Sequence, residues 1–239
     1  MKALLHALLA VVLGSGLVAA ASQAKDDNTY FYLVHAASGR NFSSTANPEL
    51  PVDISINGKC VVEGISFGDI RGPYAVSPGT FSFKVSMADS IKPCGNSPIF
   101  SGNSSMFAAN TYVAVVSLDA SNDLTGQVYS LDLSPIAPFM ARAFVVNATG
   151  ENLSVTATSV PTTDGSGFHF SVPAGTLQIA TGPPVGISYL SIYTEPNILQ
   201  AGPVQTEILV GNAYIYVLAG SASNRTVQLV GSKRIYGVY

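Results

Sequence analysis

Apolar and polar residues alternate with a period of two in short runs that recur about every ten residues, and no window shows a sustained helical period. The clearest run is Thr80 to Met87. Phe81, Phe83, Val85 and Met87 share one face, and Ser82, Lys84 and Ser86 share the other, which predicts a strand with a core side and a wet side. Val52 to Ile56 and Cys60 to Ile65 flank Asn57-Gly58. That dipeptide predicts a hairpin, because a type I′ turn needs positive φ at both central residues. Tyr30 to Ala36, Thr111 to Leu118 and Gln127 to Leu133 read as further strands.

The second half repeats landmarks of the first. Asn110-Thr-Tyr112-Val-Ala-Val115, then Ala120-Ser-Asn122, aligns without a gap on Asn212-Ala-Tyr214-Ile-Tyr-Val217, then Ala222-Ser-Asn224. Upstream, Pro78-Gly79-Thr80-Phe-Ser-Phe83 aligns on Ala174-Gly175-Thr176-Leu-Gln-Ile179, and Tyr32-Leu-Val34-His35-Ala36 on Phe144-Val-Val146-Asn147-Ala148. Three landmarks in one order predict a duplication. Between them lies Ser134-Pro-Ile-Ala-Pro138, whose prolines cannot donate to a strand ladder. The expected architecture is therefore all-β: two tandem immunoglobulin-like antiparallel sandwiches over residues 25–134 and 141–239, the second divergent, joined by a linker over 135–140. A membrane barrel fits less well, since Lys233 to Tyr239 alternates poorly.

Upstream of these units, Lys2, an apolar run to Val18 and the small residues Ala19 to Ala24 have the order of a secretory signal peptide over residues 1–24, with the mature chain starting near Lys25. The apolar run is broken by glycines and short for a span, and no second long run predicts a transmembrane segment. Export places the two cysteines, Cys60 and Cys94, in an oxidising compartment, where they are expected to pair. Closing a loop of about 35 residues is worth roughly 4 kcal/mol in the chain-entropy account. The pair lacks the C-x-x-C spacing of a redox site. A net charge of −3 with 10% charged residues offers no basic patch for nucleic acid.

The order Tyr32-Leu-Val-His35-Ala36, Leu50-Pro-Val-Asp53-Ile-Ser-Ile-Asn-Gly58-Lys, Gly64-Ile-Ser-Phe-Gly68 and Ser77-Pro-Gly79-Thr-Phe resembles domain-of-unknown-function family 4397 (DUF4397). The resemblance covers most of the first half, and more weakly the second. It implies secreted or surface β-domains, often in tandem, with no assigned activity or catalytic residues. The two-copy layout is also similar to periplasmic accessory proteins of exopolysaccharide O-acetylation.

Candidate chemistry is sparse. Gly64-Ile-Ser66-Phe-Gly68 fits the G-x-S-x-G pattern, but that nucleophile needs a following helix, and Asp69 to Pro78 holds a glycine and two prolines. His35 sits in a strand that reads apolar on both sides and is expected to be structural. His169 lies close in sequence to Asp164 and Ser166, too close for triad geometry. Asp119, Ser121 and Asp123 alternate like calcium ligands without the glycine and distal glutamate of that loop, so a hairpin turn is expected. Sequons occur at Asn41, Asn103, Asn147, Asn152 and Asn224. No tryptophan offers a sugar-stacking platform, which leaves Tyr189 and Tyr193. The reading that results has no catalytic, cofactor or metal site. It is a non-catalytic binding or structural module, periplasmic, surface-bound or extracellular, with a glycan or an envelope protein as partner. The alternative is an accessory role in exopolysaccharide acetylation.

Overall fold

The computed structural model describes residues 28–43, 46–119, 121–161, 167–194, 198–220 and 228–235, so the expected signal peptide lies outside the described residues. Apart from one helical turn, Gly39–Phe42, the described elements are strands. Eight fall in the first half: β1 Thr29–His35, β2 Val52–Ile56, β3 Lys59–Ile65, β4 Ile70–Val76, β5 Gly79–Met87, β6 Pro98–Met106, β7 Thr111–Leu118 and β8 Leu124–Leu131. Eight follow: β9 Arg142–Asn147, β10 Leu153–Thr158, β11 Phe168–Val172, β12 Leu177–Thr181, β13 Gly186–Thr194, β14 Ile198–Ile208, β15 Ala213–Ala219 and β16 Gln228–Ile235. The first eight make two four-stranded sheets, β4-β1-β7-β8 and β3-β2-β5-β6; the second eight make β12-β9-β15-β16 and β11-β10-β13-β14. Strand for strand, the second set follows the order of the first. The pairing matches too: β1 lies parallel to β7, and β9 parallel to β15.

Each half is a β-sandwich with its own core. Phe31, Leu33, Ile54, Phe83, Val85 and Ala114 are among the residues filling the first, and Val145, Val155, Ile192, Tyr214 and Tyr216 among those filling the second. A third core lies between the halves. Tyr32 and Val34 of β1 and Val113 and Val115 of β7 point away from the first core and meet Phe144 and Val146 of β9 and Ala213, Ile215 and Val217 of β15. Four sheets are thus stacked, and the four central strands are buried on both faces. A strand in that position has no wet side, so near-continuous apolar runs such as Tyr-Val-Ala-Val-Val and Ala-Tyr-Ile-Tyr-Val-Leu-Ala replace alternation.

Polar contacts also tie the halves. Arg142, buried at the start of β9, donates to the carbonyls of Asp132 and Ser134 in the segment between β8 and β9. Its guanidinium also lies 3.8 Å from the Asp132 carboxylate. The Tyr129 hydroxyl donates to Gly175 O at 2.8 Å, and burial pushes its pKa up to about 12. Lys233 of β16 sits 5.7 Å from the centre of the Tyr32 ring.

Each half carries the same corner beside its parallel pair. Phe107 N–H donates to the Tyr112 hydroxyl (3.0 Å), and Leu209 N–H to the Tyr214 hydroxyl (2.8 Å). In both, the hydroxyl binds backbone five residues upstream, the device known as a tyrosine corner. The shared core predicts that Ile215→Ala, at a fully buried site, costs about 2–5 kcal/mol. Calorimetry should show one transition for both halves in the native protein, and in the variant either a single lowered one or its splitting.

Candidate functional site

The residues singled out for chemistry are held by the backbone. Ser66 lies in the turn joining β3 to β4, where its N–H donates to Asp69 Oδ2 (3.2 Å) and its carbonyl accepts from Asp69 N–H (3.0 Å). His35 is brought to the same corner, since its N–H donates to Asp69 O and its carbonyl accepts from Gly68 N–H. A serine, a histidine and an aspartate thus converge, which the sequence did not suggest. The imidazole nevertheless faces the first core, fully buried. Nε2 lies 2.7 Å from Leu50 O, and Nδ1 accepts from Ala37 N–H at 3.2 Å. Those partners fix the neutral tautomer with hydrogen on Nε2 and leave neither nitrogen to receive a serine proton.

Asn147 occupies the matching place in β9, equally buried, and repeats the pattern with an amide. Its Oδ1 accepts from Thr149 N–H (3.0 Å), and its Nδ2 donates to Glu151 O and Val172 O (2.8 Å each). The two side chains therefore do one job: accept from the residue two places on, and donate across to a loop. The Asn147 sequon is thereby closed to a glycan. Asn41 is half-buried, Asn103 and Asn152 are exposed, and Asn224 lies outside the described residues.

Asp119 closes its own hairpin, its Oδ1 accepting from Ser121 N–H (2.8 Å) and Asp123 N–H (3.0 Å). His169 projects from β11 with Nδ1 3.4 Å from Thr156 Oγ1, while Asp164 and Ser166 lie outside the described residues. Tyr193 is buried and Tyr189 half-buried, so the pair presents no open stacking face. Among the described residues no cluster of three metal-ligating side chains occurs. No described helix is long and apolar enough to cross a membrane.

Asp53 was not picked out from the sequence. It points outward from β2, yet it is buried, because the Ala88 to Ser97 connection folds back over this face. Its carboxylate accepts from Gly64 N–H (2.9 Å), Asp89 N–H (3.2 Å) and Cys94 N–H (2.8 Å). The Cys60–Cys94 disulfide staples the same connection to β3. Asp89 fixes the near end by accepting from Ile91 N–H and Lys92 N–H, bonds that hold its own carboxyl below the usual range. Ile91 is left 94% exposed at the tip of the flap. The flap also explains why Ser86, expected on a wet face, is buried.

Cys60 borders a groove of about 630 Å³ between the outer strands β3 and β4. Ile56, Val61 and Phe81 give it apolar surface, and Asn57, Ser77 and Tyr74 give it hydrogen-bonding groups. Asn57 and Gly58, with φ of 49° and 78°, form the left-handed turn that the dipeptide predicted, at the mouth. Lys59 is the one charged side chain among the lining residues. Burial raises the Tyr74 pKa more than nearby Arg71 lowers it, so the phenol is a neutral donor at physiological pH. In the second half the corresponding strands, β11 and β12, lie in contact.

Residues 41–158 match the family model described as a domain of unknown function, DUF4397. The chain is similar to that family over this stretch, just under half of its length. The matched stretch runs from the helical turn through β10, so it takes in the groove, the flap and the start of the second sandwich. No curated protein matches the chain. Among solved structures, a candidate cell adhesion protein from Bacteroides ovatus is similar at 10% identity and a TM-score of 0.25, over 87% of this chain and 95% of that one.

Burial lowers the His35 pKa, with smaller opposing contributions from the Leu50 bond and the Asp69 charge. The folded state therefore resists the proton that the unfolded chain accepts near 6.5. Stability should be complete above that pH and fall as pH drops through it toward the lower folded value. In a His35→Asn variant, which copies Asn147, denaturation midpoints should lose that dependence between pH 7 and 5. Asp53→Ala orphans three backbone donors and should destabilise by about 2–5 kcal/mol in urea unfolding of the oxidised protein.

Proposed function

We propose that this chain is a non-catalytic binding module of the cell envelope or extracellular space, and that the β3–β4 groove of its DUF4397-like stretch receives the ligand. The groove itself carries this reading. It combines apolar surface, neutral donors and one cation without a carboxylate among its lining residues, a set suited to holding a molecule and not to moving a proton. The Cys60–Cys94 bridge and the signal-like first 24 residues support an exported protein that matures near Lys25. The repeated strand order and the matching corners support an origin by duplication, after which the first half kept an open groove and the second closed it.

The test is binding of purified Lys25 to Tyr239 to bacterial polysaccharides, peptidoglycan and envelope proteins, compared with Tyr74→Ala and Lys59→Glu variants. Saturable binding that weakens about tenfold or more in both variants supports the groove, since such a loss corresponds to about 1.4 kcal/mol, the scale of one good contact. Binding that both variants leave intact would place the ligand elsewhere on the molecule.

A further inference from the structure

A sheet edge presents a row of unpaired N–H and C=O groups, and folded proteins ordinarily blunt it with charge, proline, shortness or cover. Most outer strands here follow that rule. β3 carries Lys59 and Glu63, β4 carries Arg71 and Pro73, β14 carries Pro203 and Glu207, and β16 carries Lys233 and Arg234. β11 and β12 have five residues each. β8 has no charge, but it turns Tyr129 onto Gly175 and Leu131 into the core between the halves.

β6 uses these devices only at its first two positions. It runs nine residues, Pro-Ile-Phe-Ser-Gly-Asn-Ser-Ser-Met, with no charged side chain and proline only at its first position. Its register with β5 shifts once, at Ile99 between Val85↔Phe100 and Ser86↔Pro98, and is unbroken from Phe100 to Met106, so the irregularity is confined to the start of the strand. No described strand pairs with its other side. The stapled flap crosses to β3, at the far edge of the sheet, and the element nearest to β6 after β5 is β8 of the facing sheet, where Phe100 packs against Gly126 without strand pairing. Ser101, Asn103 and Ser105 are exposed on its outer face.

We propose that the free edge of β6 pairs antiparallel with β6 of a second copy of this chain, joining two four-stranded sheets into one of eight. Self-pairing about a two-fold axis sets every residue against a residue of the same strand, so a charged edge would oppose itself. β6 avoids that conflict by having no charge. Small hydroxyl and amide side chains meet across the junction on the outer face. The nearest charged neighbour, Lys84 on β5 opposite Ser101, would stand three strand spacings or more from its copy. That is about 14 Å, beyond the screening length of about 8 Å at physiological salt. The partner is a second copy and not an unrelated strand because the edge is neutral along its whole length and complementary to itself, with no charge to select an oppositely charged sequence.

Sedimentation of oxidised Lys25 to Tyr239 from micromolar to millimolar concentration tests this directly. A reversible dimer is expected, weakened about tenfold or more in Ser101→Lys/Ser105→Lys, because two like-charge oppositions approach the 1.4 kcal/mol that a tenfold change requires. An Asn103→Cys variant should form a disulfide-linked dimer faster than Ile91→Cys, whose residue is also open to solvent but lies on the flap. All substituted positions are exposed, and circular dichroism confirms that each variant is folded. A native protein monomeric at millimolar concentration, or a dimer that the lysines leave unchanged, overturns the proposal. Both outcomes are independent of ligand binding in the β3–β4 groove.

Discussion

The contact between the two inner sheets organises the molecule. β1 and β7 on one side, and β9 and β15 on the other, give alternate residues to their own sandwich and the rest to the opposing one. Each inner strand therefore belongs to two cores at once. An apolar side chain moved out of water is worth about 1.5–3 kcal/mol, so a double row of them holds the halves together far more firmly than a proline-bearing connection could. Arg142, Tyr129 and Lys233 add direction to this adhesion, since their hydrogen bonds and ring contact are met in one relative placement of the sheets. With the inner faces committed to each other, what the outside world can reach is confined to the two outer sheets, the strand edges and the loops.

That division accounts for the distribution of features in the first half. The outer sheet is roofed in part by the flap, whose burial of Asp53 is tolerable because three backbone donors surround the carboxylate. The disulfide fixes the flap to the wall of the groove, so groove and flap form one stiffened region. The second half has no described counterpart of either. Its matching edge strands are short and in contact.

Much of the framework was legible in the sequence. Val52–Ile56 and Thr111–Leu118 form strands with the expected bounds, and the hairpin turn and the cysteine pair are where the residues put them. β4 and β6 were missed for physical reasons. β4 carries a glycine and a proline in its middle, tolerated because it is an edge strand, and β6 is built from Ser, Gly and Asn, which pattern and propensity both disfavour. The stacking of the sandwiches left its trace as strands apolar on both sides, a signal that does not say which surface supplies the second cover. Nor could sequence show that His35 and Asn147 are interchangeable in role, because the likeness is in donors and acceptors and not in residue type. The groove was invisible for a similar reason: it is a gap between edges, and no local pattern encodes the distance between two strands that do not pair.

The shared core has a last consequence for recognition. Two domains on a flexible tether sample many separations, and such a pair can adapt to almost any repetitive polymer. Here the tether is short, Arg142 is clamped upon it, and both sandwiches are fused through packed side chains. Whatever surfaces the two halves present are therefore held at one spacing and one angle. The protein would act on an extended partner as a gauge, engaging it at two points only where the partner's own repeat matches an interval set in advance by the width of two β-sheets.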